Sequence, residues 1–386
     1  MDTVEPWRSS GETLRWRSKK FCCACDMASG PLRRFPGESM RIEGHVKAKA
    51  PTYEAALLPR VLLGERLLGA ARKVLDQMPS LAPSKAIASK QMVHMNQGQG
   101  ETSYAHNSSI QNSQQNRMKP LIEAAIIDLC GSRSTLFPEK MLIADLGCSY
   151  GPNALALVST AVKAIINHCL QFQQPPPEVC VLLNDLPDND FNTVVKSLVT
   201  LRQNNNKLVV VTGVAPGSFY ERLFTSDSLH LVCSSNSLHW LSMAPEDLTM
   251  NQIPAYDMDE HARRERLPMR LMHGVIDKAK FDSFYVPVYG PSGEELREII
   301  QDEGSFSIRD MRVYDATTDM DSMLFIPSSF VNYLRAIFEP IIVEHFGEVM
   351  DEFVRIAERR WSLEGSMQDE RARNPRAMLA VSLVKA

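Results

Sequence analysis

No stretch of this 386-residue chain approaches eighteen uncharged apolar residues in a row, about the length a helix needs to cross a bilayer. The most apolar N-terminal segment, residues 55–75, is broken by Pro59, Arg60, Glu65, Arg66, Arg72 and Lys73. No membrane span is expected. Nor is there an excess of charge of either sign. A formal net charge of −4 leaves no electrostatic footprint for nucleic acid or an anionic membrane surface. Cysteine occurs without a pattern, at Cys22, Cys23, Cys25, Cys130, Cys148, Cys169, Cys180 and Cys233. No second ligand pair with zinc-like spacing follows Cys22–Cys25. With no secretory signal in the sequence, reduced thiols in a cytoplasmic protein fit best. What is present is an ordinary globular composition, 44% hydrophobic and 23% charged, long enough for a large core and two or three domains.

The chain is organised around residues 141–153, MLIADLGCSYGPN. An apolar run ends in Asp145, Gly147 and Gly151 bracket a tight turn, and Pro152 opens residues 154–170, in which Leu155, Val158, Val162, Ile165, Ile166 and Cys169 share one helical face. Proline suits a first helical turn because the N–H it lacks would have no partner there. A strand, a glycine turn and a helix make the first unit of a doubly wound α/β domain. Further short apolar runs follow at 179–183, 208–214 and 229–233, each ending in polar residues, as parallel strands covered on both faces do. Polar residues gathered at strand carboxyl ends mark the ligand site of such folds.

Around this unit, residues 92–111 read as a ligand-covering loop and 119–130 as a helix. A helix over 292–304, a strand over 306–314, a helical stretch over 330–363 and a final antiparallel edge strand over 377–384 complete the chain. Residues 1–90 read as an N-terminal extension, a poorly ordered leader with one or two short helices over 53–78. Its acids Asp2, Glu5, Glu12, Asp26, Glu38 and Glu43 spoil a transit-peptide signature.

Asp185 lies forty positions after Asp145, at the end of the second run, where a carboxylate can accept two hydrogen bonds from vicinal ribose hydroxyls. An adenosine-containing ligand follows. A nicotinamide dinucleotide calls for G-x-G-x-x-G closing on a pyrophosphate, but the turn GCSYGPN has two glycines four apart. Asp145 and Asn153 suit a cation or an amino acid moiety better than a diphosphate, and S-adenosylmethionine carries both.

MNQGQGETSYAHNS, DLGCSYGPN, NDLPDNDFN, PGSFYERLF and SLHWLS occur in the order and spacing of the plant SABATH methyltransferases, and from Met92 onward the sequence closely resembles that family. EDLTMNQIPAYD and GVIDKAKFDSFYVPVY resemble its grass carboxyl methyltransferases. The resemblance implies a class I methyltransferase fold, a Rossmann-like sheet with a helical cap, over 91–386. The cofactor half would span about 91–250. It implies methyl transfer from S-adenosylmethionine to small acids such as salicylate, benzoate, anthranilate, jasmonate or indole acetate. Tyr104, Ser108, Cys148, Asn153, Asp185, Leu186, Ser218 and Phe219 would hold the cofactor. Gln111 and Trp240, with His239 alongside, would bind the acid carboxylate, and Tyr104 and Asn236 would line the acceptor pocket. A carboxylic acid with a pKa near 4 is already ionised at pH 7, so no general base is needed. Cys148 reads as a small apolar spacer, not a nucleophile. Family members often form homodimers.

The chain departs from the family in three places. Asn251, Asp282 and Phe284 match its magnesium pattern, but Tyr285 stands where many members have Asn, and a phenol is a poor magnesium ligand. Asn236 replaces a frequent aromatic. After residues 261–267 the chain runs straight into MRLMHGVIDKAKFD, omitting some tens of residues that include a glycine-led strand. The sheet is then expected to lack the strand beside 229–233, unless another segment substitutes. That deletion supports a second reading, a catalytically impaired relative (a splice variant or pseudoenzyme) that binds cofactor or a partner subunit.

Overall fold

The computed structural model describes residues 20–28, 93–131, 138–203, 208–242, 286–288, 290–315, 326–355, 358 and 377–386. Its elements run β1 (Lys20–Ala28), α1 (Ser109–Gly131), β2 (Lys140–Leu146), α2 (Ala156–Phe172), β3 (Glu178–Asp185), α3 (Phe191–Gln203), β4 (Val210–Pro216), β5 (Leu231–Ser235), α4 (Gly293–Glu303), β6 (Phe306–Asp315), α5 (Pro327–Phe346) and β7 (Ala377–Lys385). One seven-stranded sheet has the order β4-β3-β2-β5-β1-β7-β6. β4, β3, β2, β5 and β1 are parallel, and β7 runs antiparallel to both β1 and β6.

Strand residues alternate between two covered faces, as a pleat requires. Met141 and Ile143 of β2, Leu231 and Cys233 of β5, and Met378 and Ala380 of β7 join a core with Met118, Leu121 and Ile122 of α1 and Leu157 and Ile165 of α2. Their neighbours Ala144, Val232, Leu379 and Val381 turn to the other face, against Leu296, Ile299 and Ile300 of α4. Each fully buried Leu or Ile here contributes about 1.5–3 kcal/mol.

The structure corrects the expectation of a sheet one strand short. The place beside β5 is filled by β1, from within the N-terminal extension. Lys20 to Ala24 pair with Leu231 to Ser235 on one side, and Lys20 to Ala28 pair with Val384 to Ala377 on the other. An empty slot there would leave the facing N–H and C=O groups of β5 and β7 without partners in the middle of a sheet. Residues 20–28 therefore belong to the fold and are not a poorly ordered leader. The helices expected over 53–78 lie outside the described residues.

Two smaller corrections follow. β7 is antiparallel as expected but is not an edge strand, because β6 lies outside it. α1 begins at Ser109, inside the expected loop and well before residue 119, so Gln111 lies on a helix. Its buried face opens with Gln111, Gln114 and Gln115, polar residues that conceal the helical periodicity.

Candidate functional site

The carboxyl edge of β2, β3, β4 and β5 is drawn together by the turn after β2. Gly147 has φ +75°, and a Cβ there would stand 2.2 Å from Ser237 Cβ; Gly151 has φ +92°, and its Cβ would stand 2.9 Å from Ala105. Only glycine lets the turn touch both the segment after β5 and the covering segment before α1. Ser149, between them, adopts the left-handed region at φ 53°. Its N–H donates to Asp185 Oδ2 at 2.6 Å, and the Leu186 N–H donates to Asp185 Oδ1 at 2.8 Å. A carboxylate has about four acceptor sites, so two remain for a ligand. The buried Asn184 accepts from the N–H groups of Gly147 and Cys148, each at 2.9 Å, and donates from Nδ2 to Ala215 O and Gly217 O, each at 2.8 Å. This side chain and its carbonyl fix the ends of β2, β3 and β4 to one another.

Two acids face this edge. Burial pushes the Asp185 carboxyl up to about 6 against the two N–H donors that lower it. Burial, and then the charge of Asp185, hold Asp145 well above the usual carboxylate range, and its Oδ1 has no partner. A cationic ligand would relieve both. Burial, followed by Asp185 and Asp145, also raises the Cys148 thiol, which excludes a thiolate nucleophile and agrees with the reading of Cys148 as a spacer. Tyr104 is buried, close enough to Asp185, Cys148 and Tyr150 to feel their charge, and its phenol is raised chiefly by burial, so it stays neutral.

Residues 93–108 pass over the site as a strap. Asn96 accepts from the Tyr104 N–H at 2.9 Å and from the Tyr150 hydroxyl, and donates from its own N–H to Ala336 O of α5 at 2.8 Å. Asn153, expected to hold a ligand, spends its amide on the protein. Nδ2 donates to Ser108 O at 2.7 Å and to Ser108 Oγ at 2.9 Å, while Oδ1 accepts from Asn112 at 2.8 Å. It clamps the turn to α1. A cavity of about 720 Å³ is lined by the clamp residues Ser108, Asn112 and Asn153 together with others such as His106 and Arg117, and not by Asp185, His239 or Trp240.

Beyond β4, Ser218 Oγ accepts from the Tyr220 N–H at 3.3 Å, and the Phe219 and Tyr220 rings meet at 4.9 Å. Beyond β5, Trp240 is held by its own N–H to Ser237 O at 3.1 Å and by the Tyr220 hydroxyl, which donates to Trp240 O at 2.5 Å. Its ring lies 5.4 Å from His239 and 6.2 Å from Phe338 of α5. Burial pulls His239 down to about 4, so it is a neutral imidazole at pH 7. Gln111 Oε1, Asn236 Oδ1 and His239 Nδ1 are buried without partners. Orphaned polar atoms on two facing elements have the character of a ligand wall, since each costs about 1–3 kcal/mol if nothing binds it.

The structure thus gathers Tyr104, Ser108, Cys148, Asn153, Asp185, Leu186, Ser218 and Phe219 around one strand edge, with Gln111, Asn236, His239 and Trp240 on α1 and beyond β5. Asn251, Asp282, Phe284 and Tyr285 lie outside the described residues. Among the described residues no group of His, Cys, Asp and Glu is placed to hold a metal ion, and no helix is long and apolar enough to cross a membrane. Ser149 and Asn184 escaped the sequence reading because their roles lie in backbone geometry and a cross-strand amide. Asp145 was legible as the acid closing the first strand.

The family model for SAM dependent carboxyl methyltransferases matches residues 90–270 and 264–386. A benzoic acid/salicylic acid carboxyl methyltransferase of Petunia hybrida is 32% identical over 327 residues, covering 68% of this chain and 90% of its own. Jasmonate O-methyltransferase of Arabidopsis thaliana is 34% identical over 355 residues, 68% and 91% respectively. A solved structure of a loganic acid methyltransferase with SAH superposes with a TM-score of 0.61 at 25% identity, covering 75% of this chain and 98% of that one.

Proposed function

The chain belongs to the SAM-dependent carboxyl methyltransferases, and on that premise we propose that it methylates the carboxylate of a small aromatic or plant-hormone acid, releasing the methyl ester. When bound, S-adenosylmethionine supplies an electrophilic methyl group on a sulfonium. Asp185 would accept the ribose hydroxyls on the two acceptor sites left free by Ser149 and Leu186. Asp145 would face the positive charge, and Tyr104, Cys148, Ser218 and Phe219 would enclose the remainder. Asn153 and Ser108 would act through the clamp that holds the turn.

The acceptor carboxylate is anionic before it binds, so the site needs orientation and exclusion of water and not a base. Gln111 and the Trp240 indole would donate to one carboxylate oxygen. Neutral donors position an oxygen without neutralising it. The observation that carries this reading is that the wall is built from neutral polar groups with unmet hydrogen-bonding capacity, an unprotonated His239 and Gln111, whose amide can turn to offer Nε2 where Oε1 now has no partner. The impaired-relative reading depended on a strand missing from the sheet, and β1 occupies that place.

We further infer a catalytic domain of residues 91–386 together with β1, working in the cytoplasm, where the free thiols at Cys130, Cys148, Cys169, Cys180 and Cys233 are stable. Incubating purified protein with S-adenosylmethionine and a panel of small acids should yield methyl esters by mass spectrometry, with saturable S-adenosylhomocysteine binding by calorimetry. Binding without ester from any acid would overturn the proposed reaction.

A further inference from the structure

α5 carries a proline inside it, Pro340. Proline has no N–H to give to the carbonyl four residues back, so Ala336 O lacks the donor that an uninterrupted helix supplies. That carbonyl instead accepts the Asn96 N–H of the strap at 2.8 Å. One position before the proline, Glu339 Oε2 accepts from Asn96 Nδ2. The gap in the helix is a socket, and one strap residue fills it with both its backbone and its side chain.

Glu339 is oriented for this contact from within α5. Its Oε1 accepts from Arg335 Nε at 2.9 Å and pairs with Arg335 Nη2 at 2.8 Å, and its side chain is 17% exposed. A mostly buried carboxylate shared between a guanidinium and an amide is fixed by both. On the strap side, Asn96 Nδ2 also donates to Thr102 O at 3.1 Å, and Asn96 O accepts from the Tyr104 N–H and the Tyr150 hydroxyl. A single residue thereby ties the segment that carries Tyr104 to the glycine turn on one side and to α5 on the other. Between the two socket residues, Phe338 meets Trp240 with ring centroids 6.2 Å apart. One helical turn of α5 supports both the cover of the cofactor site and the wall that faces the acid.

We propose that Glu339 and Pro340 are positioning residues that latch Asn96, and through it Tyr104, over bound S-adenosylmethionine, and that the latch releases for the spent cofactor to leave. This rests on the carboxyl methyltransferase reading above. Both residues act through Asn96. The proline acts by what it omits. Alanine in its place supplies the missing N–H, lets Ala336 O close its helical bond and leaves the Asn96 N–H without that acceptor. A proline removed from a helix interior favours the helix itself, so helix stability and strap closure are set against each other.

The test measures S-adenosylhomocysteine affinity by calorimetry, its release rate by stopped-flow fluorescence and the thermal midpoint of the ligand-free protein, in wild type, Pro340→Ala, Glu339→Ala and Glu339→Gln. Pro340→Ala should keep or raise the midpoint while weakening binding about fivefold or more, as the loss of one hydrogen bond does, with faster release. Glu339→Ala should weaken binding to a similar extent. Glu339→Gln, which keeps an oxygen for Asn96 Nδ2, should recover most of that loss. Wild-type affinity in Pro340→Ala at a retained midpoint overturns the proposal, as does a Glu339→Gln that binds no better than Glu339→Ala. Midpoint and affinity falling together in Pro340→Ala make the proline a packing residue and overturn the proposal as well. A wild-type protein that binds no S-adenosylhomocysteine would instead sink the cofactor assignment, and this inference with it.

Discussion

At the scale of single residues, the site is governed by the acids at the ends of β2 and β3. Asp185 has its carboxyl raised to about 6 in the ligand-free protein, and only the ionised form can accept two hydroxyl donors. Affinity for S-adenosylhomocysteine should be level above pH 7 and fall as pH drops through 6, reaching about a tenfold loss near pH 5 from this group. Stability runs the other way. A raised folded-state value means that Asp185 stabilises the empty protein below its unfolded value near 3.8, and that this contribution is lost as pH rises to 6. Calorimetric titrations across pH 5–8 check the binding limb. Asp185→Asn should bind weakly with no inflection near 6, and an unchanged affinity would exclude the ribose assignment. Asp185 was legible because an acid at the end of the second strand has a chemical reason to be there. The pairing of Ser149 with it was not, since a left-handed serine carries no distinct sequence signal.

At the scale of elements, α4 shows what a local signal can do. Ser292 accepts from the Glu295 N–H at 3.2 Å and Glu295 returns the bond to the Ser292 N–H, while Gly304 closes the helix in the left-handed region at φ 73°. Serine, glutamate three on and terminal glycine are readable from the chain alone, and the expected span of 292–304 agrees with the structure. Ser292→Ala should lower stability by about 1 kcal/mol, measurable by denaturant titration, with methyl transfer unchanged. α1 shows the opposite case. Its inner face begins with glutamines and contains Pro120, so periodicity located only its second half. The glutamines face inward because tertiary packing, and for Gln111 a ligand on the reading above, overrides their preference for water.

At the scale of the whole molecule, the sheet is the result least accessible to sequence. β2, β3, β4 and β5 were visible as apolar runs with polar ends. β1, KFCCACDMA, was not, because its place is defined by the vacancy that β5 and β7 create and by no pattern of its own. A chain lacking residues 1–28 should lose cooperative unfolding, or show a midpoint lower by about 10 °C or more as several kcal/mol of sheet and core are removed. It should also lose S-adenosylhomocysteine binding. A chain lacking only residues 1–19 should keep both. Equal midpoints for the two truncations would show that the sheet stands without β1.

The pairing of Lys20 with both Leu231 and Val384 also imposes an order on biosynthesis. β1 leaves the ribosome before any strand it joins, and at about 5–20 residues per second its second partner follows only after tens of seconds. For that interval the β4-β3-β2-β5-β1 part of the sheet can assemble while β1 carries a bare edge, the kind of surface that invites pairing with other chains. Contacts spanning nearly the full chain also slow the final step. Yield of native protein should therefore depend on chaperone supply and expression temperature more than on the strength of the finished core.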